Sequence, residues 1–164
     1  MSGATDTSTK VANRALMAIG ETTYLGDLDT DGSTTAKTIQ RVYQDCVDSV
    51  LQAYDWNFNA VRAKIAKSST NPAFDFAYQY PLPGDCLRVR EVYDTGLGYA
   101  AQTGYYREAH DQRERWQVET IVDNDSPTRV LVTDMDSPVN IVYSRRINSL
   151  GFWSPLAIDA LVYR

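Results

Sequence analysis

The fold is decided by the stretch TTAKTIQRVYQDCVDSVLQAYDW, residues 34–56. From Ile39 onward its apolar side chains recur at intervals of three and four residues, which places them on one face of an α-helix. These side chains are Ile39, Val42, Tyr43, Cys46, Val47, Val50, Leu51 and Tyr54. No glycine or proline interrupts the run, and Asp31, Ser33 and Thr34 offer oxygens suited to an N-cap. The pattern predicts a long amphipathic helix.

A shorter helix is predicted ahead of it, over residues 8–19. Gly20 follows as the glycine that commonly ends a helix. The apolar side of this helix consists of Val11, Ala12, Ala15, Leu16 and Ile19. Residues 21–33 are a polar linker in which Tyr24 and Leu25 are the expected anchors. We therefore expect the two helices to pack as an antiparallel pair.

After Phe58 the apolar period changes to two residues, which is typical of strands. Residues 57–66 are compatible with a strand or a short helix, and we favour a strand. An extended path is predicted for 76–82, because its aromatic residues alternate and prolines flank Leu82. Further strands are predicted at 87–93, 116–121, 129–133 and 139–145, with an exposed loop or hairpin at 94–104. Turn signals between them indicate an antiparallel meander, so a β-rich extension is expected over 57–147.

The last element begins at FWSP, residues 152–155. Ser154 suits an N-cap and Pro155 suits the first helical position. The expected apolar face follows as Leu156, Ile158, Leu161 and Val162. A helix of about two and a half turns is marginal alone. The segment 154–164 must therefore dock on another element, or the natural chain continues beyond Arg164.

The order of these elements predicts an α+β fold. Two N-terminal helices (8–56) and the C-terminal helix are expected to form an antiparallel bundle, with the antiparallel β-rich extension inserted between them. A length of 164 residues fits a single domain, 1–164, that needs neither metal nor disulfide to fold. Cys46 and Cys86 match no zinc pattern, and we expect no disulfide between them.

The formal net charge of −5 argues against a general phosphate-binding surface, which needs a basic excess. It is compatible with a protein that surrounds DNA without holding it, because an acidic wall repels phosphate and lets a duplex slide. No apolar stretch is long enough to span a bilayer, and the Ser/Thr-rich start lacks the features of a signal peptide. The sequence predicts a soluble protein that is made inside the cell.

The sharpest chemical motif is DLDTDG, residues 27–32, which resembles the opening of a calcium loop. Such a loop takes oxygen ligands at alternate positions and a bidentate glutamate at its twelfth position. The twelfth position here is Thr38. An acidic linker leading into a helix N-terminus is the favoured reading, because carboxylates suit the helix dipole there. A calcium- or ligand-binding module built on Asp27, Asp29 and Asp31 remains the alternative.

The residues for catalysis are sparse, and the sequence predicts no enzyme. His110 is the only histidine, and it lies in a polar run. The sequence has no Gly-x-Ser-x-Gly motif that would supply a nucleophilic serine for it. A hydrolase that uses His110 is the least favoured hypothesis. Paired carboxylates occur at Asp123, Asp125, Asp134 and Asp136, in predicted turns, where aspartate is explained by turn chemistry. We expect no cofactor and no metal.

Aromatic side chains crowd the strand half of the chain. They are Tyr78, Tyr80, Tyr93, Tyr99, Tyr105, Tyr106, Trp116 and Tyr143. Aromatic residues on strands usually form a core or cross-strand pairs, and otherwise an interface. Basic residues form three local clusters. The first is Arg62, Lys64 and Lys67, the second is Arg88 and Arg90, and the third is Arg145 and Arg146. Each is expected to be a solvated strand face, or to meet an acidic partner in an assembly.

Four segments resemble the head-to-tail adaptor proteins of tailed phages, including the tail tubular protein A group of short-tailed phages. The first is VANRALMAIGE, residues 11–21, and the second is the end of the long helix, AYDWNF, residues 53–58. The third is YPLPGDCLRV, residues 80–89. The fourth, residues 152–164, is similar to the start of the family's last long helix, which is expected to run well past Arg164. The segments follow the family order and span most of the chain.

The resemblance implies a structural virion protein. It implies a homo-oligomeric ring, usually of twelve copies, between the portal protein and a downstream tail or nozzle protein. DNA would leave through the ring without sequence-specific binding, and no membrane would be involved. The expected location is the head–tail junction of the virion, after assembly in the host cytoplasm. The family has no catalytic residues to carry over. Within this framework we expect Trp153, Leu156 and Ile158 to contribute to contacts inside the bundle or with a partner.

Overall fold

The computed structural model describes residues 7–94, 115–123, 126–136 and 138–164. Within these ranges the fold is α+β, as predicted, with three α-helices and two antiparallel three-stranded sheets. The helices are α1 (Ser8–Ala18), α2 (Thr34–Ala53) and α3 (Pro155–Val162). The strands are β1 (Ala60–Ile65), β2 (Tyr78–Pro81), β3 (Cys86–Asp94), β4 (Trp116–Asp123), β5 (Ser126–Thr133) and β6 (Val139–Arg145).

The chain divides into two compact units. The first unit holds the described residues up to 60 together with 145–164, and the second holds those of 61–144. The three helices that the structure describes lie in the first unit, and nearly all described strand residues lie in the second. The predicted loop or hairpin at 94–104 falls almost entirely outside the described residues.

The long helix is confirmed over Thr34–Ala53, and the last three residues of the quoted stretch, 54–56, lie beyond it. It begins behind Ser33, whose hydroxyl oxygen accepts a hydrogen bond from the backbone N–H of Ala36 at 3.2 Å. It ends at Ala53, because Tyr54 adopts an extended conformation. Two side chains beyond the helix then donate hydrogen bonds to carbonyls near its C-terminal end. The indole Nε1 of Trp56 donates to the carbonyl of Val50 at 2.8 Å, and the Asn59 amide donates to that of Leu51.

Helix α1 is confirmed, and it ends in a left-handed glycine. Gly20 has a φ of +80°, and the next backbone N–H, that of Glu21, reaches back to the carbonyl of Leu16 at 3.0 Å. This is the glycine-terminated arrangement that satisfies the last carbonyls of many helices. Ile19, which we predicted on the apolar side, is exposed instead, because it lies beyond the last helical residue.

The linker between α1 and α2 is anchored by two leucines. Leu25 and Leu28 are buried, whereas Tyr24, one of the two predicted anchors, is exposed. The side-chain amide of Asn13 donates to the carbonyl of Leu25 and accepts from its N–H, both at 2.9 Å. A small core joins the linker to the helices, and it consists of Ala12, Leu16, Leu25, Leu28 and Ala36.

Helix α3 begins as predicted and packs against both α1 and α2. Ser154 accepts from the N–H of Ala157 at 3.3 Å, and Pro155 occupies the first turn. The buried face differs from the predicted one. It consists of Ala157, Ile158, Leu161 and Val162, while Leu156 is 69% exposed. Because residues 156 and 158 lie about 200° apart around a helix, they cannot share one face.

The second unit corrects the predicted meander. One sheet has the order β1-β6-β3 and the other β2-β5-β4, so among the described strands only β4 and β5 are neighbours both in the chain and in a sheet. Strand β5 is central, with Leu131 opposite Tyr80 on one side and opposite Val118 on the other. The alternation of side chains specifies which face of a strand is buried, but it does not specify the neighbouring strand.

Side chains of both sheets share one core in the second unit. Tyr80 is fully buried, and its hydroxyl donates to the carbonyl of Met135 at 2.7 Å. The core consists of Ile65, Tyr80, Cys86, Val89, Leu131, Met135, Val139, Ile141 and Tyr143. The opposite face of β5 is covered as well, because Val130 and Val132 pack with Phe76. The expectation that strand aromatics form a core is thus confirmed for Tyr80.

Both cysteines are free thiols, and their environments differ. Cys86 is buried, and burial raises the pKa of its thiol to about 11. Arg129 lowers this pKa and Asp85 raises it, both by smaller amounts. Cys46 is partly exposed.

We expect iodoacetamide at pH 8 to alkylate Cys46 and to spare Cys86 in the folded protein. With a pKa of about 11, only about one Cys86 thiol in a thousand is ionised at that pH, and the thiolate is the nucleophile. Folding raises the pKa of this thiol from about 8.5 in the unfolded chain. The free energy of unfolding should therefore fall as the pH rises from about 8.5 towards 11, because the unfolded chain loses its proton first. Mass spectrometry of the labelled peptides measures both rates, and denaturant should equalise them. Equal rates in the folded protein would contradict the prediction.

Candidate functional site

The most distinctive surface of the first unit is a groove lined mainly by aromatic side chains. Its volume is about 340 Å³, at the low end of the size range for ligand sites. We call it the aromatic groove, and it is lined by Tyr54, Asp55, Trp56, Asn57, Phe58, Phe152, Trp153 and Ser154. It therefore joins the segment that follows α2 to the segment that precedes α3.

Four rings form a continuous row in the groove. The rings of Tyr54 and Trp56 meet edge to face, with their centroids 5.0 Å apart. Trp56 stacks on Phe58 at 5.9 Å, and Phe58 lies 5.5 Å from Trp153. These separations fall within the range in which aromatic pairs attract one another.

The local sequence explains three of the four rings. Tyr54 and Trp56 both have extended backbone conformations, so side chains two residues apart project to the same side. Residues Asn57–Asn59 then form one turn of 3₁₀-helix, and the buried Asn59 anchors this turn to α2. The alternation of Tyr54, Trp56 and Phe58 is visible in the sequence, but nothing in the sequence indicates that Trp153 completes the row.

The groove combines aromatic side chains with one acidic residue and no basic residue among its lining. It is lined by these aromatic residues and by Asp55, and it lies beside the C-terminal end of α2. The last turn of α2 has no basic residue, and its carbonyls at Val50 and Leu51 accept hydrogen bonds from Trp56 and Asn59. None of the eight lining residues is a lysine or an arginine. Tyr54 and Phe152 are 64% and 70% exposed, so the rings of these two lining residues are accessible to solvent.

The three residues proposed from the sequence as contact residues have different environments. Trp153 is only 7% exposed, and its Nε1 donates to the carbonyl of Ile147 at 3.3 Å. Ile158 is 2% exposed and belongs to the buried face of α3. Leu156 projects to the surface. Trp153 and Ile158 therefore make contacts within the first unit, and Leu156 is the one of the three that is available to a partner.

The acidic linker makes local hydrogen bonds. Asp27 accepts from the N–H of Asp29 at 2.9 Å, and Asp31 accepts from the N–H of Ser33 at 2.8 Å. The bonds to Ser33 lower the pKa of the Asp31 carboxyl. Leu28, between them, is buried in the core. The carboxylates thus act as turn and helix-start residues, and the described residues contain no group of three or more potential metal ligands.

We expect calorimetric titration with calcium to give no binding heat at millimolar metal. The N–H groups of Asp29 and Ser33 already occupy one oxygen of Asp27 and one of Asp31, and the twelfth loop position is a threonine. A known calcium-loop peptide serves as the positive control. Saturable heat that is lost in Asp29→Asn would instead establish the calcium module.

The other predicted constellations are structural where they can be described. Asp134 accepts from the N–H of Ala77 at 3.0 Å, and Asp136 pairs with Lys67 at 2.9 Å. This ion pair raises the pKa of Lys67, chiefly through the hydrogen bond. The predicted candidates His110, Asp125, Tyr99, Tyr105 and Tyr106 lie outside the described residues, and so does the side chain of Asp123.

The basic clusters are divided among different surroundings. Arg62 and Lys64 are exposed on the edge strand β1. Arg90 donates to the hydroxyl of Ser144 at 2.8 Å. Arg146 forms an ion pair with Asp48 on α2. Arg90 and Arg146 therefore each contact a residue of their own unit.

Comparison with known proteins finds no matching family model and no significantly similar curated protein. Among the described residues, every helix is too short or too polar to cross a lipid bilayer. Function must therefore be argued from the fold and the surfaces.

Proposed function

We propose that this chain is a head-to-tail adaptor of a tailed phage, a structural protein rather than an enzyme. In this role it forms a homo-oligomeric ring, of about twelve copies as the family resemblance implies, between the portal protein and the downstream tail. The finer architecture we propose is a helical bundle of α1, α2 and α3 that carries the β-rich unit as an extension. The protein acts in the virion, after assembly in the host cytoplasm.

The observation that carries the proposal is the composition of the two units. Helices from both ends of the chain belong to one unit, and nearly all described strand residues belong to the other, which covers the described residues of 61–144. This is the element order of the adaptor family that the sequence resembles. The ion pair between Arg14 on α1 and Asp159 on α3, at 2.5 Å, joins two residues that are 145 positions apart in the chain.

The proposed mechanism is geometric. Repeated contacts between copies hold two coaxial partners together, while the acidic net charge keeps DNA moving through the channel. No DNA sequence is read. Leu156 is the residue we assign to a subunit or partner contact, because an exposed leucine adds nothing to the fold of its own unit.

The test is electron microscopy of lysates from a phage that lacks this gene. DNA-filled or leaking heads without tails are the expected result. Complementation with the intact gene should restore tailed particles, which controls for effects on neighbouring genes. Intact tailed particles in the deletion would refute the adaptor role.

A further inference from the structure

We propose that strand β4, which lies at the edge of its sheet, binds an extended segment of a partner protein as an additional β-strand. The main chain of that segment pairs with β4, and its apolar side chains, at alternate positions, enter the groove beside the strand. This inference does not rest on the adaptor role, because it uses only contacts within the second unit.

The register of the sheet shows which backbone groups of β4 point away from β5. The N–H of Leu82 donates to the carbonyl of Arg129 at 3.1 Å, so the backbone groups of Arg129 point towards β2. Because these groups alternate along a strand, those of Val130 point towards β4, where Glu119 is the opposite residue. Among the described residues no strand pairs with the other side of β4. The residues of β4 whose N–H and C=O groups face that side are Trp116, Val118, Thr120 and Val122.

The opposite edge of the same sheet is protected against such pairing, whereas β4 is not. On β2 the carbonyl of Gln79 accepts a hydrogen bond from the N–H of Ser68 at 2.8 Å, and Pro81 has no N–H to donate. Proline and lysine are common on edge strands because they prevent pairing with another chain. The sequence of β4, WQVETIVD, contains neither of them, and most of its residues favour strands. Strand β4 is therefore a long edge that is open to pairing.

A groove of about 580 Å³ lies beside this strand, and we call it the edge groove. Its lining combines the loop 70–75 and Gln79 with Gln117, Glu119, Ile121 and Val122 of β4. Within this lining Phe74 is 84% exposed and Val122 is 70% exposed. Neighbouring apolar side chains with such exposure are typical of interaction sites. Apolar side chains of an added strand would cover them.

A strained turn holds Phe74 in its exposed position. The N–H of Phe76 donates to the carbonyl of Phe74 at 2.9 Å, and Asp75 between them has a φ of +73°, which is typical of a rare γ-turn. The guanidinium of Arg115 stabilises this turn by donating to the carbonyl and to the carboxylate of Asp75, at 2.8 and 3.0 Å. Backbone strain of this kind concentrates at binding sites, where it orients a residue before the partner arrives.

The size of the surface favours an extended segment over a second folded copy of this chain. The eight residues of β4 span about 27 Å, and an edge contact of that length covers roughly 400 Å² per partner. A stable pair of folded proteins needs about 800 Å² per partner. A single added strand needs less, because main-chain hydrogen bonds supply affinity and alternate side chains supply specificity. The partner is thus an extended segment with an apolar residue at every second position.

The test combines amide hydrogen exchange with a peptide titration, both followed by two-dimensional NMR of the purified protein. In the free protein the outward amides of Val118 and Thr120 should exchange at least about tenfold faster than the paired amides of Glu119 and Ile121. The probe is a blocked nine-residue peptide, Lys-Thr-Val-Thr-Val-Thr-Val-Thr-Lys. Its addition should slow the exchange of the outward amides, with saturation and a dissociation constant below about 1 mM.

Two methylated forms of the probe test main-chain pairing. One carries methyl groups on the amide nitrogens of its threonines, and the other on those of its valines. Only every second N–H of an added strand faces β4. Methylation should therefore abolish binding in one form and spare it in the other, and the form that fails to bind reports the direction of the added strand.

Two variants and a control test the residues of the site. Thr120→Pro removes an outward N–H and no hydrogen bond to β5, so circular dichroism should show an unchanged fold while binding weakens at least about tenfold. Phe74→Ala should also weaken binding about tenfold, and its exposed ring adds little to folding. Tyr24→Ala removes an exposed tyrosine of the first unit and should leave the affinity unchanged.

Four results would overturn the proposal. Slow exchange of the outward amides in the free protein would show that the edge is already covered. Unchanged exchange at up to about 10 mM peptide would show that the edge does not bind a strand usefully. Equal binding of both methylated forms would exclude main-chain pairing. Self-association that Thr120→Pro abolishes and the peptide does not compete would assign the edge to a second copy of the chain. None of these results bears on the knockout phenotype, so the adaptor role and the edge can fail separately.

Discussion

Replacement of Trp153 by alanine is expected to lower the free energy of unfolding of the first unit by about 3–5 kcal/mol. The indole is almost fully buried, it packs against Phe58 at 5.5 Å, and it donates to the carbonyl of Ile147. Truncation removes this packing, leaves a cavity at the start of α3 and leaves a carbonyl without its donor. The effect is large because Trp153 connects the aromatic row to the residue that caps α3, Ser154.

Chemical denaturation followed by far-ultraviolet circular dichroism measures this loss, since the helices that the structure describes lie in the first unit. Phe152→Ala is the matched control, because its ring is the neighbouring aromatic in the chain and is 70% exposed. That variant should change stability by no more than about 0.5 kcal/mol. If Trp153→Ala left both the denaturation midpoint and ring assembly unchanged, the contact role assigned to this residue would be wrong.

Two substitutions on α3 should have opposite consequences. Ile158→Ala removes a side chain that is 2% exposed, and it should cost about 2–5 kcal/mol of folding free energy. Leu156→Ala lies two residues away on the exposed side, and it should alter the stability of the isolated protein by less than about 0.5 kcal/mol. The pair is well matched because both changes truncate a C4 side chain to a methyl group in the same helix.

Thermal denaturation of the two variants gives the first readout, and sedimentation of assembled particles gives the second. In the proposed ring, Leu156→Ala should weaken assembly although the protomer remains stable. A marked loss of stability in Leu156→Ala would show that the leucine belongs to the core after all. Unchanged assembly would instead remove Leu156 from the proposed contact surface.

The sequence was a good guide to the helices and to where they begin. The spacing of apolar residues predicted α1 and α2, and the hydroxyl oxygens of Ser33 and Ser154 lie at the predicted helix starts. Local signals suffice for these features, because a cap or a helical turn involves residues within four positions of each other. The position at which α2 ends was predicted less accurately. There the side chain of Trp56, rather than a cap residue, donates a hydrogen bond to a carbonyl of the last turn.

The strands show where local signals fail. The strand β6 was predicted with its observed bounds, yet its position between β1 and β3 was not. A period of two residues assigns side chains to faces, but the neighbours of a strand depend on contacts between distant parts of the chain. The predicted meander assumed that consecutive strands pair, and of the described pairs between consecutive strands only β4–β5 does so.

The sequence by itself thus determined the element types, the helix caps, the acidic charge and the family resemblance that underlies the adaptor proposal. Only the tertiary structure decided that Leu156 is exposed and that Trp153 joins Tyr54, Trp56 and Phe58 in one groove. The reason is that residues 58 and 153 become neighbours through the packing of α3 against α1 and α2. That packing is set by complementary buried faces, and each face is visible in the sequence while their mutual fit is not.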